Sequence, residues 1–292
     1  MNFNNKLALG SVQFGLVYGV ANPHGKVASV EVKKILQYAK IHGLDTLDTA
    51  VEYGESESLL GRLGIHTWKA VTKLPAWTND HLDINKWVQE ETLKSIARLG
   101  VSQLHGLLLH RPRQLLESFG GRLYEALQAV KEQGLVSKIG ISVYGPEELD
   151  LLLDQYSVDL VQAPLNILDR RLVESGWSKR LHAAGVEIHT RSTFLQGLLL
   201  MPSHQRPVKF SHWADVWNEW HRWLAETGLN PLQACLRYAN GLPDIDRIVV
   251  GVDSVDQLDE IINATNGVLP SLPAFAPLQD KRLINPASWS QI

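Results

Sequence analysis

Short apolar runs, each followed by a longer amphipathic stretch, recur along the whole 292-residue chain. The runs are Leu7–Val12, Leu44–Asp48, Lys69–Lys73, Leu104–His110, Val136–Ser142, Val158–Gln162, Val186–Arg191 and Ile245–Val250. Strands that are apolar on both faces and separated by helices specify a parallel sheet covered on both sides. The intervening stretches read as helices. Ser29 is placed to cap one over Val30–His42, with Val32, Ile35, Leu36 and Ala39 on one face and Gly43 as its stop. Others span Ser56–Leu63, Asp83–Leu99, Leu115–Gln133, Pro146 to about Gln155, Arg171–Ala184, Ser211–Glu226, Pro231 to about Asn240 after an Asn230 cap, and Val255–Ala264. Eight strand–helix units with an extra helix before the last strand predict a closed (β/α)8 TIM barrel over residues 1–292 as a single domain. An open doubly wound sheet usually carries a glycine-rich fingerprint after its first strand. Gly10 to Gly15 supplies two glycines but no helix cap at the right distance.

In such a barrel the reactive groups sit at the C-terminal ends of the strands. Four polar residues arrive there in chain order: Asp48 and Tyr53 in LDTLDTAVEYG, Lys73 in VTKLP, and His110 in LLLHRP. Singly, each has an ordinary reading as a turn aspartate, a solvated strand end or a core histidine. Together they are specific. A phenol titrates near 10 and is a poor proton donor at neutrality, but a neighbouring ammonium favours its phenolate. A carboxylate beside that ammonium keeps it charged, and a histidine opposite can orient a carbonyl oxygen. Such a set protonates a carbonyl oxygen while hydride arrives at its carbon. No side chain supplies hydride, so a nicotinamide cofactor is implied.

Composition narrows the alternatives. The 28 basic and 31 acidic residues nearly cancel, leaving a net charge of −3, which argues against nucleic acid or a membrane surface as partner. The single cysteine, Cys235, has no partner for an internal disulfide and fits a cytoplasmic setting. MNFNNKLALG lacks the apolar core of a signal peptide, and no apolar run is long enough to span a bilayer. No obligate protein partner is evident; the expected partner is a small carbonyl compound. A metal site is not expected, because no histidine pair has ligand spacing at a strand end, with His182 and His189 falling on a helix and inside a strand. Trp213, Trp217, Trp220 and Trp223 form a stripe at helical spacing, expected to pack on the barrel rather than to serve as a carbohydrate platform.

The segment Asp48-Thr49-Ala50-Val51-Glu52-Tyr53-Gly54, with Ser56-Glu57 and Gly61 beyond, resembles the signature of the aldo-keto reductases, in a bacterial-type form. Lys73 and His110 complete the catalytic tetrad that this resemblance implies. It also implies an extended nicotinamide dinucleotide along the strand ends: Gly10 and Ser11 near the nicotinamide ribose, and Ser142 and Gln162 on the carboxamide. Val143 stands where the family often has Asn, and Asn166 is the candidate to compensate. Arg191, Ser192, Phe194 and Gly197 belong to a segment along the pyrophosphate, with Arg191 where many members stack an aromatic ring on the nicotinamide. Gly251, Ser254, Gln257 and Glu260 resemble the adenosine-binding loop. Family precedent points to NADPH, whereas the absence of Lys or Arg in this loop and the presence of Asp253 and Asp256 leave room for NADH.

Trp77, in the loop after Lys73, and Trp289, near the C-terminus, are expected as walls of the substrate pocket. The segment RSTFLQGLLL is similar to a branch associated with surface-polysaccharide or sugar metabolism, so a sugar-derived aldehyde or ketone is the expected substrate type. The alternative is a non-catalytic cofactor-binding regulatory protein on the same fold. A damaged tetrad or an N-terminal extension would mark such a protein.

Overall fold

The structure, a computed structural model, describes residues 6–20, 22, 25–78, 83–272 and 280–291. Eight parallel strands close into a barrel in simple sequence order. They are β1 (Leu7–Gly10), β2 (Thr46–Asp48), β3 (Lys69–Leu74), β4 (Leu104–Leu109), β5 (Val136–Ser142), β6 (Leu160–Pro164), β7 (Glu187–Arg191) and β8 (Arg247–Gly251). Register closes the ring where Leu9 stands opposite Leu47 on one side and Val250 on the other. Most strand residues are buried, as strands covered on both faces require. Inside the barrel, Val71, Leu108 and Leu160 pack on one another, and the larger apolar core fills the space between strands and helices.

The outer layer comprises α1 (Ser29–Ile41), α2 (Ser56–Arg62), α3 (Ile84–Leu99), α4 (Gly120–Glu132), α5 (Pro146–Leu152), α6 (Trp177–Ala183), α7 (Ala214–Thr227), α8 (Pro231–Asn240) and α9 (Val255–Ala264). In α1 the buried residues are Val32, Ile35, Leu36 and Ala39, the face expected from spacing. Its start differs: Ser29 is the first helical residue and Ala28 the cap, with no side-chain cap bond. Asn230 caps α8 through a reciprocal pair of bonds with Gln233, and Pro231 occupies the first turn.

Three expected helices are broken. The stretch Leu115–Gln133 divides into a 3-10 turn over Pro112–Leu116 and α4, with the backbone extended at Glu117 and Gly120 then passing so close to Leu115 that an added Cβ would lie 1.8 Å from its carbonyl. Arg171–Ala184 divides at Gly176, whose φ of +78 cannot continue a helix. The tryptophan-rich helix is a 3-10 turn over Val208–Trp213 before α7 begins. All four indoles of that stripe are buried, and each N–H has a partner: Asp280 for Trp213, and the carbonyls of Phe210, Leu199 and Ser271 for Trp217, Trp220 and Trp223. The stripe is packing. Cys235 is likewise buried, and burial pushes its thiol well above the ordinary range. No helix of the described residues is long and apolar enough to cross a membrane.

Candidate active site

Asp48 is the last residue of β2 and Lys73 the fifth of β3, and the register of these neighbours sets Asp48 beside Val71. The Lys73 ammonium meets both carboxylate oxygens of Asp48, at 2.8 and 2.7 Å, and donates to the Thr49 carbonyl at 2.8 Å. The pair is almost completely buried. Burial alone works to lower the Lys73 pKa, but the Asp48 charge, the neighbouring Tyr53 and these hydrogen bonds outweigh it and hold it above the usual lysine range. Lys73 is therefore a fixed internal cation.

Its Nζ lies 4.9 Å from the centre of the Tyr53 ring. Tyr53 sits on the loop between β2 and α2, and that loop is held against the β1 end. An added Cβ at Gly15 would lie 1.8 Å from the Tyr53 carbonyl, so only glycine permits this contact. Below it, Ser11 donates to the Asp48 carbonyl at 2.9 Å and accepts from Ser56 at 2.7 Å. Glu57, from the same signature, is buried and ties α2 outward, accepting from Thr72 at 2.6 Å and Arg98 at 2.6 Å.

His110 follows β4, its ring 6.0 Å from that of Tyr53 and edge-on to it. Glu52 Oε2 comes within 2.6 Å of Nδ1 but lies out of line for a hydrogen bond. Burial, together with the positive charge of Lys73, lowers the His110 pKa to about 4, against partial opposition from Glu52. The imidazole is neutral near pH 7.

Tyr53 and His110 open into a cavity of about 560 Å³ over the C-terminal ends of the strands. Gly10, Ser11, Asp48, Ser142, Gln162, Arg191, Ser192, Phe194, Gly197, Gly251, Gln257 and Glu260 all line it, so most of the expected positions come together around one cavity. Ser254 does not: its hydroxyl accepts from Gln257 N–H at 3.2 Å and caps α9. Gln162 is buried, donating to Asp48 at 2.6 Å and accepting from Ser142 at 3.2 Å. Asn166 is not a substitute amide for the cavity. It is buried in a turn, accepting from the Leu168 and Asp169 N–H groups at 2.9 and 2.8 Å.

Neither expected tryptophan lines the cavity formed by the described residues. Trp77 packs edge-on against Phe119, and its backbone N–H donates to Gln114. Trp289 packs on Phe210 and donates to the Leu283 carbonyl at 2.9 Å. Large aromatic rings near a pocket are drawn equally into the apolar core behind it. Some sequence neighbours of these residues, 79–82 and 273–279, lie outside the described residues.

Tyr18, Tyr144 and Gln13 are among the lining residues that sequence reasoning passed over. Tyr18 reaches across from the β1 loop, its hydroxyl accepting from Gln196 at 3.0 Å. Tyr144 lies 4.9 Å from the Arg191 guanidinium, which also donates to the Val143 carbonyl at 3.0 Å. Gln13 lies on the helical turn after β1. Their single signal was position, one or two residues past a strand end or in the loop beyond it.

The wall suits an extended polar ligand. Gln13 Oε1 and Thr193 Oγ1 are buried on it without a protein partner among the described residues. Ser192, Leu195 and Gln196 hold φ of +63, +48 and +53, strained values for side-chain-bearing residues and concentrated in the segment bounding the cavity. At the β8 end, Asp253 and Glu260 line the cavity, and Glu31 accepts from Val255 N–H at 3.1 Å. No group of three or more His, Cys, Asp or Glu suited to a metal ion occurs among the described residues.

The aldo/keto reductase family model matches residues 6–272. Two mycobacterial proteins named aldo-keto reductase, from Mycobacterium sp. strains KMS and JLS, are each 26% identical over 203 residues, covering 68% of this chain and 71% of theirs. Among solved structures, the aldo-keto reductase AKR11C1 of Bacillus halodurans superposes in its holo form with a TM-score of 0.73 at 19% identity, covering 95% of both chains. Its apo form gives 0.69 at 19% identity over 94% of both chains. That structural likeness shows the fold, while the match along nearly the full sequence shows more: the chain belongs to the aldo/keto reductase family.

Proposed function

We propose that the protein reduces an aldehyde or ketone to an alcohol with a reduced nicotinamide dinucleotide, with Tyr53 as general acid. The observation that carries this reading is the buried Asp48–Lys73 pair beneath a Tyr53 that shares the cavity with a neutral His110. Bound nicotinamide would supply the hydride. His110 would offer an N–H to the carbonyl oxygen and fix its orientation. Tyr53 would give its proton to that oxygen as negative charge develops, and the Lys73 ammonium would stabilise the phenolate left behind. Asp48 would position Lys73 and hold its charge.

Ser142, Gln162 and Arg191 would hold the nicotinamide end, Ser192, Phe194 and Gly197 the pyrophosphate, and Gly251, Gln257 and Glu260 the adenosine end. NADPH is the cofactor that family precedent supports. The acidic groups at the β8 end favour NADH as the second reading, since a 2′-phosphate there would face Asp253, Glu260 and Glu31. A sugar-derived carbonyl remains the proposed substrate type, acting in the cytoplasm without an obligate protein partner.

Calorimetric titration with NADPH and NADH, followed by a carbonyl screen with Tyr53→Phe as control, tests this reading. Binding of one dinucleotide and turnover abolished by Tyr53→Phe are expected. Binding without turnover of any carbonyl compound would favour the regulatory alternative. Calorimetry is the better readout, because no tryptophan lines the cavity among the described residues.

A further inference from the structure

We infer that the carbonyl substrate carries an oxyanion, a carboxylate or a phosphate, and that Arg111 is the residue that selects it. This rests on the reading of the cavity as a carbonyl-reducing site. Arg111 directly follows His110, lines the same cavity and is exposed. Its guanidinium makes no hydrogen bond or ion pair with any described residue.

The surrounding charges are otherwise committed. Arg113, two residues on, is paired with Glu148 at 2.8 Å. The other guanidinium on the cavity wall, Arg191, is held by the Val143 carbonyl and lies against Tyr144. Lys73 is neutralised by Asp48. The half-exposed Glu52 approaches His110 from the Nδ1 side without lining the cavity, and Asp48, which does line it, is paired with Lys73. Among the described residues that line the cavity, Arg111 is thus the cation left to the substrate.

Topology polarises the cavity in the same sense. In a closed barrel of eight strands, β4, whose end leads into His110 and Arg111, lies across from β8, beyond whose end Glu260 of α9 lines the cavity. The Glu260 carboxylate disfavours a ligand anion on that side, and the Arg111 guanidinium favours one on the β4 side. A guanidinium takes a carboxylate or phosphate through two parallel N–H donors. With Tyr53 and His110 engaging the carbonyl oxygen, the anionic group would extend toward the mouth beside His110.

The test uses one aromatic skeleton in three forms: 4-carboxybenzaldehyde, 4-formylphenyl phosphate and 4-methylbenzaldehyde. Their kcat/KM values are compared for the natural chain and for Arg111→Gln. The matching benzyl alcohols are titrated by calorimetry into the protein holding reduced cofactor. The natural chain should favour at least one anionic member about tenfold or more over the neutral one, mainly through KM, with the advantage shrinking as salt rises. Which anion is favoured distinguishes carboxylate from phosphate. Arg111→Gln should erase most of the preference while binding cofactor as the natural chain does. Turnover of all three aldehydes without preference overturns the inference and leaves the reductase reading intact. Selective binding of the anionic alcohols, lost in Arg111→Gln, with no turnover of any aldehyde, supports the anion site and defeats the reductase reading. Equal weakening of cofactor binding in Arg111→Gln overturns the inference by assigning the residue to the cofactor.

Discussion

Both ends of the barrel set a carboxylate against a lysine, joined by two histidines at one end and by Gln162 at the other, yet only the C-terminal set lies beside side chains that face the cavity described above. At the N-terminal end, Glu187 of β7 takes contacts from His105 at 3.1 Å and His189 at 2.6 Å, and from Lys138. At the C-terminal end, Asp48 takes Lys73 and Gln162. Burial opposes the charge on Glu187, but its three donors prevail and hold the carboxyl far below the usual carboxylate range. There the carboxylate is the focus and every donor points at it. At the C-terminal end the carboxylate holds the lysine, the lysine lies against the Tyr53 ring, and Tyr53 and His110 face a cavity. Shared ingredients therefore do not define a site; what remains available after the internal contacts are made does.

The sharpest way to break the comparison is Tyr53→Phe. The loss in kcat should be on the order of 10²–10⁴-fold, the usual range for a positioned general acid, with cofactor affinity measured by calorimetry nearly unchanged. A variant retaining most of its kcat would remove Tyr53 from the chemistry.

Next comes Lys73→Met, which strands the Asp48 charge in the interior. Urea unfolding should show a loss of roughly 3–5 kcal/mol, and adding Asp48→Asn should recover part of it. Additive losses in the double variant would mean that the two residues are not coupled.

A smaller effect lies in pH. The folded-state pKa of His110, about 4, is below the ordinary 6.5, so its stabilising contribution is present above pH 6.5. That contribution is lost as pH falls through 6.5 toward 4, because only the unfolded chain takes up the proton. The natural chain should therefore lose on the order of 1–2 kcal/mol more than His110→Gln between pH 7 and pH 5. Glu187 has the same sign in a lower window: its contribution is intact above the usual carboxylate range and lost below it. Identical pH slopes for the natural chain and His110→Gln would contradict the neutral, half-buried imidazole.

The smallest change is expected from Lys138→Met. Lys138 is one-third exposed and is only one of three donors to Glu187, so its removal should cost about 1 kcal/mol or less in the same unfolding measurement. A loss as large as that of Lys73→Met would erase the distinction between the two ends.

The sequence by itself determined the barrel and the order of the reactive groups. Period, strand length and polar strand ends are local properties, and a closed parallel barrel sends every strand end to one face. That is why Asp48, Tyr53, Lys73 and His110 were legible as a set before any contact was known. It did not determine what each wall residue would spend its hydrogen bonds on. Gln162 reaches Asp48 across 114 positions, Ser254 caps α9, Asn166 builds a turn, and Arg191 is bound to Val143. Trp77 and Trp289, expected at the pocket, are packed in the core behind it. Only the tertiary structure decided these, because a polar side chain takes the nearest satisfying partner and an aromatic ring the nearest dry surface. Both depend on elements distant in the chain.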